Sequence, residues 1–361
     1  MEPSIEDIEE TVGQEVIALP KTMKSMVYDA SGRDLMLWNL ATPVPKPGHH
    51  ELLVRVASTS LNPFDFRVTE STSMFLGFKR KPVGCDIAGQ VVAVGTDVQA
   101  FHVGDLVYGW GHGLGEYAIT EPGRVAKVPT GQQVGDYGIY PCVATTAYQL
   151  LRKHWLGRED MVIRHMLVIG ASGGVGSSVI QIVRAVGGPE IKIYAVASAK
   201  NHDYLKSIGV NEVLDYSQPD FNVSVVIPSG VMDFIVDLIS GTPEGTDYVD
   251  SAMLLLKQPS GKYVTLNTLS KLEYLGARFR QLTGIEFHSN YDFFVVNRNH
   301  SAGDLIEVGG LVASGKLKIP VEQEIPYEEQ RIREGFAKIK SRHVRGKIKV
   351  IVDTYLCQMS R

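Results

Sequence analysis

The chain has 361 residues, of which 44% are hydrophobic and 21% are charged, and its formal net charge is -4 at pH 7. This length allows about two domains of ordinary size. The small negative charge gives no reason to expect a nucleic acid or an anionic membrane as partner, and no apolar run approaches the ~18 residues that cross a bilayer.

The first 21 residues begin with an acidic stretch, MEPSIEDIEETVGQEV, that contains no basic residue. A secretory signal has a basic start, and a transit peptide is rich in arginine. We therefore expect residues 1–21 to be an acidic leader on a cytoplasmic protein. The three cysteines, Cys85, Cys142 and Cys357, argue against a disulfide framework and fit a reducing compartment.

From Ser25 the sequence has short alternating apolar runs that are broken by proline and glycine. This pattern is typical of an antiparallel, barrel-like region. It predicts a strand over 51–58 and hairpins with sharp bends over 84–108.

Near Tyr140 the pattern changes to strands that alternate with helices, which predicts a parallel sheet covered on both faces. Helices are expected at 144–151, 203–208 and 248–256, and strands at 166–169, 191–197, 212–214, 234–238 and 262–266. The aromatic-rich residues 271–300 are expected to be irregular. The tail returns to a strand at 321–325, an amphipathic helix around 332–339 and a last strand at 347–352.

The most informative stretch is 166–187, MLVIGASGGVGSSVIQIVRAVG. It predicts a buried strand, a turn of small residues and a helix with one apolar face. The turn carries Ala171-x-Gly173-x-x-Gly176, a dinucleotide fingerprint with alanine in its first place. The free N–H groups at the start of the helix suit a pyrophosphate. We therefore expect the turn residues Ala171, Ser172, Gly173, Gly174 and Val175 to contact a nucleotide cofactor.

Motifs along residues 25–353 resemble, in the same order, those of the medium-chain dehydrogenase/reductase superfamily, within it the zinc-free quinone oxidoreductase branch that includes zeta-crystallin. Beside the fingerprint, the motifs are Leu61-Asn62-Pro63-Phe64-Asp65, Gly84-x-Asp86-x-x-Gly89-x-Val91-x-x-Val94-Gly95, Gly104-Asp105-x-Val107-Tyr108, Thr146-Ala147-Tyr148, Leu214-Asp215-Tyr216 and Gly346-Lys347-Ile348.

The resemblance implies an α/β protein with a split GroES-like β-barrel catalytic domain, here 22–138 and 301–361. A Rossmann nucleotide-binding domain with a doubly wound parallel sheet, here 139–300, is inserted between the two parts, and the active site lies in the cleft. Relatives often pair through the edge strand of the nucleotide domain, so a homodimer is compatible with the resemblance.

The choice of cofactor can be argued from the residues after the second strand of the nucleotide domain. An NAD site has Asp or Glu there to bind the ribose hydroxyls, whereas this chain has Ser198, Lys200 and Asn201. These side chains can hydrogen-bond and neutralise a 2′-phosphate, although Lys200 alone would be an ordinary surface lysine. The resemblance places Tyr216 against the same phosphate. We predict NADPH, with Leu266 as a further cofactor contact.

We predict no metal. Zinc-dependent relatives bind the catalytic ion through Cys, His and Cys, and the corresponding places here hold Asn62, Cys85 and Cys142. A catalytic zinc needs three protein ligands and one open position. Asp65 and Asp86 are conceivable partners for the two thiols, but buried cysteines more often act as small hydrophobic residues.

Without a Lewis acid to polarise an alcohol, the expected reaction is hydride transfer from NADPH to a small-molecule quinone or α,β-unsaturated carbonyl. The resemblance implies that Thr146 touches the nicotinamide and that Asn62 faces the substrate, where it could hydrogen-bond a carbonyl as charge develops. Asn62 could instead be a simple turn residue before a proline. Phe64, Tyr291 and Phe293 are candidates to line a flat apolar pocket, with core packing as the alternative.

Two other functions stay open at this stage. Related stand-alone enoyl reductases serve polyketide synthases, so the substrate could be an enoyl thioester. The protein could also be an NADPH-binding sensor or a structural protein, as crystallins are, with no turnover of its own.

Overall fold

The computed structural model describes residues 19–28, 36–66, 82–241, 246–267, 271–283 and 289–361. The expected acidic leader lies outside the described residues except for its last three positions. Within the described part, no helix combines the length and the apolar character that crossing a membrane requires.

The strands form a two-stranded, a six-stranded and a seven-stranded sheet. In chain order they are β1 (Thr22–Tyr28), β2 (Met36–Pro43), β3 (Leu52–Ser60), β4 (Asp86–Val94), β5 (Leu106–Trp110), β6 (Tyr117–Thr120), β7 (Val125–Lys127), β8 (His165–Ile169), β9 (Lys192–Ala197), β10 (Glu212–Asp215), β11 (Phe234–Asp237), β12 (Lys262–Thr265), β13 (Tyr291–Phe293), β14 (Val321–Pro326) and β15 (Lys347–Ile351).

The α-helices are α1 (Pro141–His154), α2 (Gly174–Gly187), α3 (His202–Ser207), α4 (Val223–Val226), α5 (Val249–Met253), α6 (Lys271–Thr283), α7 (Ala302–Ala313), α8 (Glu329–Lys340) and α9 (Thr354–Cys357). In the part of the chain that the structure describes, three 3-10 turns lie at Pro122–Arg124, Val134–Ile139 and Ala199–Asn201.

The seven-stranded sheet combines the two ends of the chain. Its order is β14-β15-β3-β4-β5-β7, with β6 also paired to β3. Strand β15 runs antiparallel to β3, so the C-terminal segment completes a sheet that the N-terminal strands begin. Strand β3 is buried along nearly its whole length. Leu52, Val54 and Val56 enter one apolar cluster, and Ala57, on the other face, enters another.

The six-stranded sheet is parallel and has the order β10-β9-β8-β11-β12-β13. This is the strand order of the doubly wound dinucleotide-binding fold, which confirms the predicted fold class. The strand order reverses between β8 and β11, and ligands of such sheets bind beyond the carboxyl ends of the strands at that point. The fingerprint turn follows β8 at this place.

The expectation that 271–300 is irregular is wrong for residues 271–283, which form α6, and for the short strand β13. Helix α6 is rich in Leu, Glu, Arg and Gln, which favour helices. Its Leu275 and Phe279 are 62% and 54% exposed, so these two apolar positions do not mark a buried face. Residues 284–288 of this segment lie outside the described part.

The sequence analysis makes no prediction for residues 302–313, where α7 lies. Three glycines lower its intrinsic helix propensity, and packing compensates. A Cβ at Gly309 would lie 2.7 Å from the hydroxyl oxygen of Tyr108. The glycine therefore allows α7 to lie close against β5, where Tyr108 donates a hydrogen bond to the carbonyl of Leu305.

Candidate active site

The fingerprint turn joins β8 to α2 and is shaped by two glycines with different roles. A Cβ at Gly176 would lie 2.5 Å from the carbonyl oxygen of Gly170 and 2.7 Å from the Cα of Ala171, so the fold itself requires glycine there. A Cβ at Gly173 would meet only the Gly170 carbonyl oxygen, at 3.6 Å. The protein therefore leaves open the space beside Gly173, at the N-terminus of α2, where a pyrophosphate would approach.

The other side of the turn is closed by the C-terminal segment and by α1. The amide of Gly346 donates to the carbonyl of Ser172 at 2.9 Å. A Cβ at Gly174 would lie 2.8 Å from Cγ1 of Val143 and 3.1 Å from Cδ of Lys347. The turn therefore lies between the six-stranded parallel sheet, which we call the nucleotide sheet, and strand β15 of the seven-stranded sheet, which we call the barrel sheet.

Three polar side chains that we expect to bind the cofactor lie together after the ends of β8 and β9. They are Ser172, Ser198 and Asn201. The amide nitrogen Nδ2 of Asn201 donates to the hydroxyls of Ser172 and Ser198, at 3.2 Å in each case. Asn201 is buried, so this arrangement is fixed. The last residues of β9 and β10 are paired, which places Tyr216, 41% exposed, next to this group.

Lys200 is exposed, and its ammonium donates to the carbonyl oxygen of His343 at 3.3 Å. The same C-terminal loop carries Arg342 and Arg345, and the Arg345 guanidinium lies 5.7 Å from the ring centre of Tyr204. Sequence reasoning did not predict that this basic loop lies beside Lys200. The only signal for it was the adjoining Gly-Lys-Ile motif, which carries no phosphate-binding pattern by itself.

We use the name buried polar cluster for Asn62, Asp65, Asp86 and Lys347, each at most 3% exposed. The Lys347 ammonium donates to the side-chain oxygen of Asn62 and lies 3.4 Å from Oδ2 of Asp86. The Asn62 side-chain nitrogen donates to the same Asp86 oxygen at 2.7 Å and to the carbonyl of Ser60 at 3.2 Å. Both ends of the Asn62 amide are therefore engaged within the protein.

Asp65 is the electrostatically unusual member of this cluster. Burial and the nearby charge of Asp86 raise its pKa to about 7, although the amide of Asn62 and the ammonium of Lys347 act in the opposite direction. The backbone N–H of Asn62 donates to Oδ2 of Asp65 at 2.8 Å. A carboxyl group that titrates near neutral pH thus lies directly behind Asn62.

Two thiols adjoin the cluster. Within the described residues, Cys85, Asp86 and Cys142 form a group whose potential metal-ligand atoms all lie within 4.8 Å of one another. The amide of Cys142 donates to Oδ1 of Asp86 at 2.6 Å, and Oδ2 accepts from Ser60, Asn62 and Lys347. Both carboxylate oxygens are therefore in use, and an ammonium already supplies their countercharge. This arrangement is a poor fit to a catalytic zinc, which needs three available ligands.

The remaining predicted site residues differ in burial and in their contacts. Thr146 is 6% exposed, and its hydroxyl donates to the carbonyl of Cys142 at 2.6 Å. The ring of Phe64 is capped by the guanidinium of Arg298 at 5.0 Å. Tyr291 stacks on a tyrosine of β12 with ring centres 5.4 Å apart, which is a packing contact of the parallel sheet.

Phe293 is 5% exposed in β13, opposite a residue of β12. Val175 and Leu266 are partly buried against the main apolar core. The structure therefore brings Asn62 and Thr146 to the same region, through Asp86 and Cys142. The assigned roles of Asn62, Thr146, Phe64, Tyr291 and Phe293 toward a bound molecule stay predictions.

Known proteins resemble the chain over most of its length. Residues 48–140 match the family model for the alcohol dehydrogenase GroES-like domain, and residues 208–350 match that for zinc-binding dehydrogenases. The chain is 28% identical to the mitochondrial NAD(P)H oxidoreductase RTN4IP1 of Mus musculus, over 91% of this chain and 89% of that protein. It is 27% identical to the chloroplastic quinone-oxidoreductase homolog of Spinacia oleracea, over 91% of this chain and 98% of that protein.

The fold resembles that of the quinone oxidoreductase from Coxiella burnetii. The TM-score is 0.75 at 24% sequence identity, and the match covers 92% of this chain and 100% of that chain.

Proposed function

Because the chain belongs to the quinone-oxidoreductase-like branch of the medium-chain dehydrogenase/reductase superfamily, we propose that it is a zinc-independent, NADPH-dependent reductase of quinones or α,β-unsaturated carbonyls. The two matched family models and the structural likeness confirm the predicted superfamily and the predicted GroES-like and Rossmann-like architecture. It also makes the chain an NAD(P)H oxidoreductase. The preference for NADPH, the acceptor and the independence from zinc are the proposal.

The observation that best supports nucleotide binding is the open space at Gly173. The protein's own packing would accept a methyl group there, since the nearest atom is at 3.6 Å. The helix N-terminus behind it presents N–H groups to an anion. A pyrophosphate that occupies this space is the simplest reason for glycine at this position.

The preference for NADPH is supported by charge and by hydrogen-bonding capacity at the adenosine end. Ser172, Ser198 and Asn201 form a hydrogen-bonded group, and the exposed Lys200 precedes Asn201 in the chain and donates to the carbonyl of His343. The loop that carries Arg345 adds positive charge. A 2′-phosphate needs such donors and cations, whereas the 2′-hydroxyl of NADH is usually bound by a carboxylate.

The proposal of zinc independence depends on the buried polar cluster. Lys347 lies between Asn62 and Asp86 and contacts both, and both carboxylate oxygens of Asp86 accept hydrogen bonds. Alcohol oxidation by this superfamily's zinc enzymes uses a Lewis acid. We therefore favour acceptors that need little polarisation, namely quinones and enones.

When bound, NADPH supplies hydride from its nicotinamide ring to such an acceptor, and the protein orients the two partners and excludes water. Thr146, on α1, would support the nicotinamide. The amide nitrogen of Asn62 is committed to Asp86 and Ser60, so a direct hydrogen bond to a substrate carbonyl requires one of these bonds to be exchanged.

A turnover assay on the full chain tests the proposal. The protein is stripped of metal with a chelator, and oxidation of NADPH and of NADH is followed with 9,10-phenanthrenequinone, a simple enone and an enoyl thioester. We expect turnover with NADPH and the quinone or enone, unchanged by chelation. Turnover with the thioester alone would identify an enoyl reductase, and NADPH binding with no turnover would identify a sensor; each result would refute the proposal. Activity that returns only with added zinc would refute the metal-free mechanism.

The cytoplasmic location and the homodimer also stay proposals. The relatives described above are mitochondrial and chloroplastic proteins by name, so the compartment must be measured by fractionation or imaging of the tagged full chain. The mass in solution tests the homodimer.

A further inference from the structure

Two of the three cysteines face each other beside the proposed active site. The sulfur atoms of Cys85 and Cys142 lie within 4.8 Å of each other, and both cysteines are free thiols. Cys85 immediately precedes β4, in the barrel sheet, and Cys142 is the second residue of α1. The pair therefore spans the boundary between the barrel sheet and the helix that packs beside the fingerprint turn.

The two thiols have different surroundings. Cys85 is 3% exposed, and its burial and its contact with the thiol of Cys142 raise its pKa. Cys142 is only partly buried and lies in the first turn of a fourteen-residue helix. An oxidant from solvent would therefore meet Cys142 first, with Cys85 directly behind it.

The third cysteine provides an internal comparison. Cys357 donates to the carbonyl of Ala57 at 3.2 Å, and burial raises its pKa to about 11. It lies in α9, and the group of adjacent sulfur and carboxylate ligand atoms does not include it. Cys357 is therefore a partly buried thiol outside the group that contains Cys85 and Cys142.

We propose that Cys85 and Cys142 are a redox pair, which a hydroperoxide converts reversibly to a disulfide that silences the reductase. The Cys142 sulfur attacks a peroxide oxygen, the O–O bond breaks, and the other oxygen leaves with the thiol proton as an alcohol or water, so that Cys142 becomes a sulfenic acid. The Cys85 sulfur then attacks the sulfenic sulfur, the S–S bond forms as the S–O bond breaks, and the sulfenic hydroxyl leaves with the Cys85 proton as water. The two sulfurs lose two electrons in total, and the peroxide gains them. An external dithiol reverses the reaction by thiol–disulfide exchange.

Bond formation must disturb the site, because a disulfide holds its sulfurs about 2 Å apart. The first turn of α1 would move toward β4. The amide of Cys142 is bonded to Asp86 and its carbonyl to Thr146, so both contacts would shift. Displacements of about 1 Å in an active site can reduce rates by ~100-fold. We expect at least a ~10-fold loss of NADPH turnover, and this expectation rests on the proposed function.

The test treats the metal-stripped full chain with hydrogen peroxide and counts free thiols after denaturation. The count should fall from three to one, peptide mapping should identify the Cys85–Cys142 bridge, and dithiothreitol should restore both the thiols and the turnover. Cys357→Ser should form the same bridge. Cys142→Ser should form none, and Cys85→Ser should accumulate a sulfenic acid on Cys142 that dimedone traps. Should Cys85→Ser fail to fold, Cys85→Ala and the Cys142→Ser variant carry the test.

Three results would overturn the inference: all three thiols still reactive after peroxide, a bridge that includes Cys357, or a Cys85–Cys142 bridge that leaves turnover unchanged. The thiol count does not depend on turnover. If the untreated protein reduces no acceptor, the proposed function fails, and the silencing part of the inference fails with it. The peptide map still decides whether the pair exists.

Discussion

Replacing Gly173 by alanine separates what the fold needs from what the cofactor needs. Gly173 has φ -74° and ψ 172°, which any residue adopts, and the added Cβ would have its nearest contact at 3.6 Å. Alanine is a poorer N-cap than glycine, which destabilises the folded state by roughly 0.5–1 kcal/mol. Alanine also restricts the unfolded chain, which stabilises the folded state by about 0.4–1 kcal/mol. We therefore expect the free energy of unfolding to change by less than about 1 kcal/mol.

NADPH affinity should respond quite differently to this substitution. The methyl group occupies the space through which the pyrophosphate approaches the backbone, so the phosphate must retreat from the helix N–H groups. We expect the dissociation constant for NADPH to rise by ~10-fold or more, which corresponds to about 1.4 kcal/mol. Fluorescence titration gives the affinity, and denaturant unfolding gives the stability.

Gly176→Ala is the matched control. Its Cβ would lie 2.5 Å and 2.7 Å from backbone atoms of the turn, so α2 must shift, at a cost of roughly 1–3 kcal/mol. Here the stability should fall. If Gly173→Ala retains full affinity for NADPH, or if it unfolds the protein as Gly176→Ala does, the assignment of the open space to a pyrophosphate is wrong.

Three further substitutions test other parts of the account. Lys200→Glu should weaken NADPH by ~10-fold or more while NADH changes little, and Lys316→Glu, at an exposed position, should change neither; equal losses for both nucleotides would contradict the 2′-phosphate assignment. Lys347→Met leaves a buried carboxylate unpaired and should cost about 3–5 kcal/mol of unfolding free energy, whereas Lys349→Met, whose acidic partners are exposed, should cost clearly less; similar costs would show that the buried ion pair is unimportant. Because the pKa of Asp65 is raised to about 7 in the folded state, its protonation stabilises the fold at low pH, and this contribution is lost as pH rises from about 4 to about 7. Between pH 5 and 7.5 the loss is about 2.5 kcal/mol, so the stability of Asp65→Asn should fall less over this range; parallel curves in denaturant unfolding would exclude the shifted carboxyl.

The nucleotide half of the fold was predictable from sequence because its signals are local. The strand, glycine turn and helix of 166–187 predict one supersecondary unit, and the structure has β8 and α2 there. Alternating strands and helices then fix a parallel sheet. Helix α6 was not predictable in this way. Its apolar residues Leu275 and Phe279 are exposed, and the helix propensity of its residues is by itself only weak evidence for a helix.

The site was predictable only in part, since its polar contacts join residues that are distant in the chain. Ser198 and Asn201 could be identified from the missing acid after β9, and the structure groups them with Ser172. The role of Lys347 could not, because nothing in the sequence says that it reaches Asn62, 285 positions away. Asn62 itself was assigned from family position, and its bonds to Asp86 and Lys347 became visible only in the structure.

The central claim is hydride transfer from NADPH to an activated carbonyl compound without a metal. It is tested most directly by incubating the metal-stripped full chain with NADPH deuterated at nicotinamide C4 and a simple enone, then locating deuterium in the product. The account predicts one deuterium at the β-carbon, delivered from one face of the nicotinamide and in the presence of chelator. Product without deuterium, or deuterium transfer that requires added zinc, would contradict it.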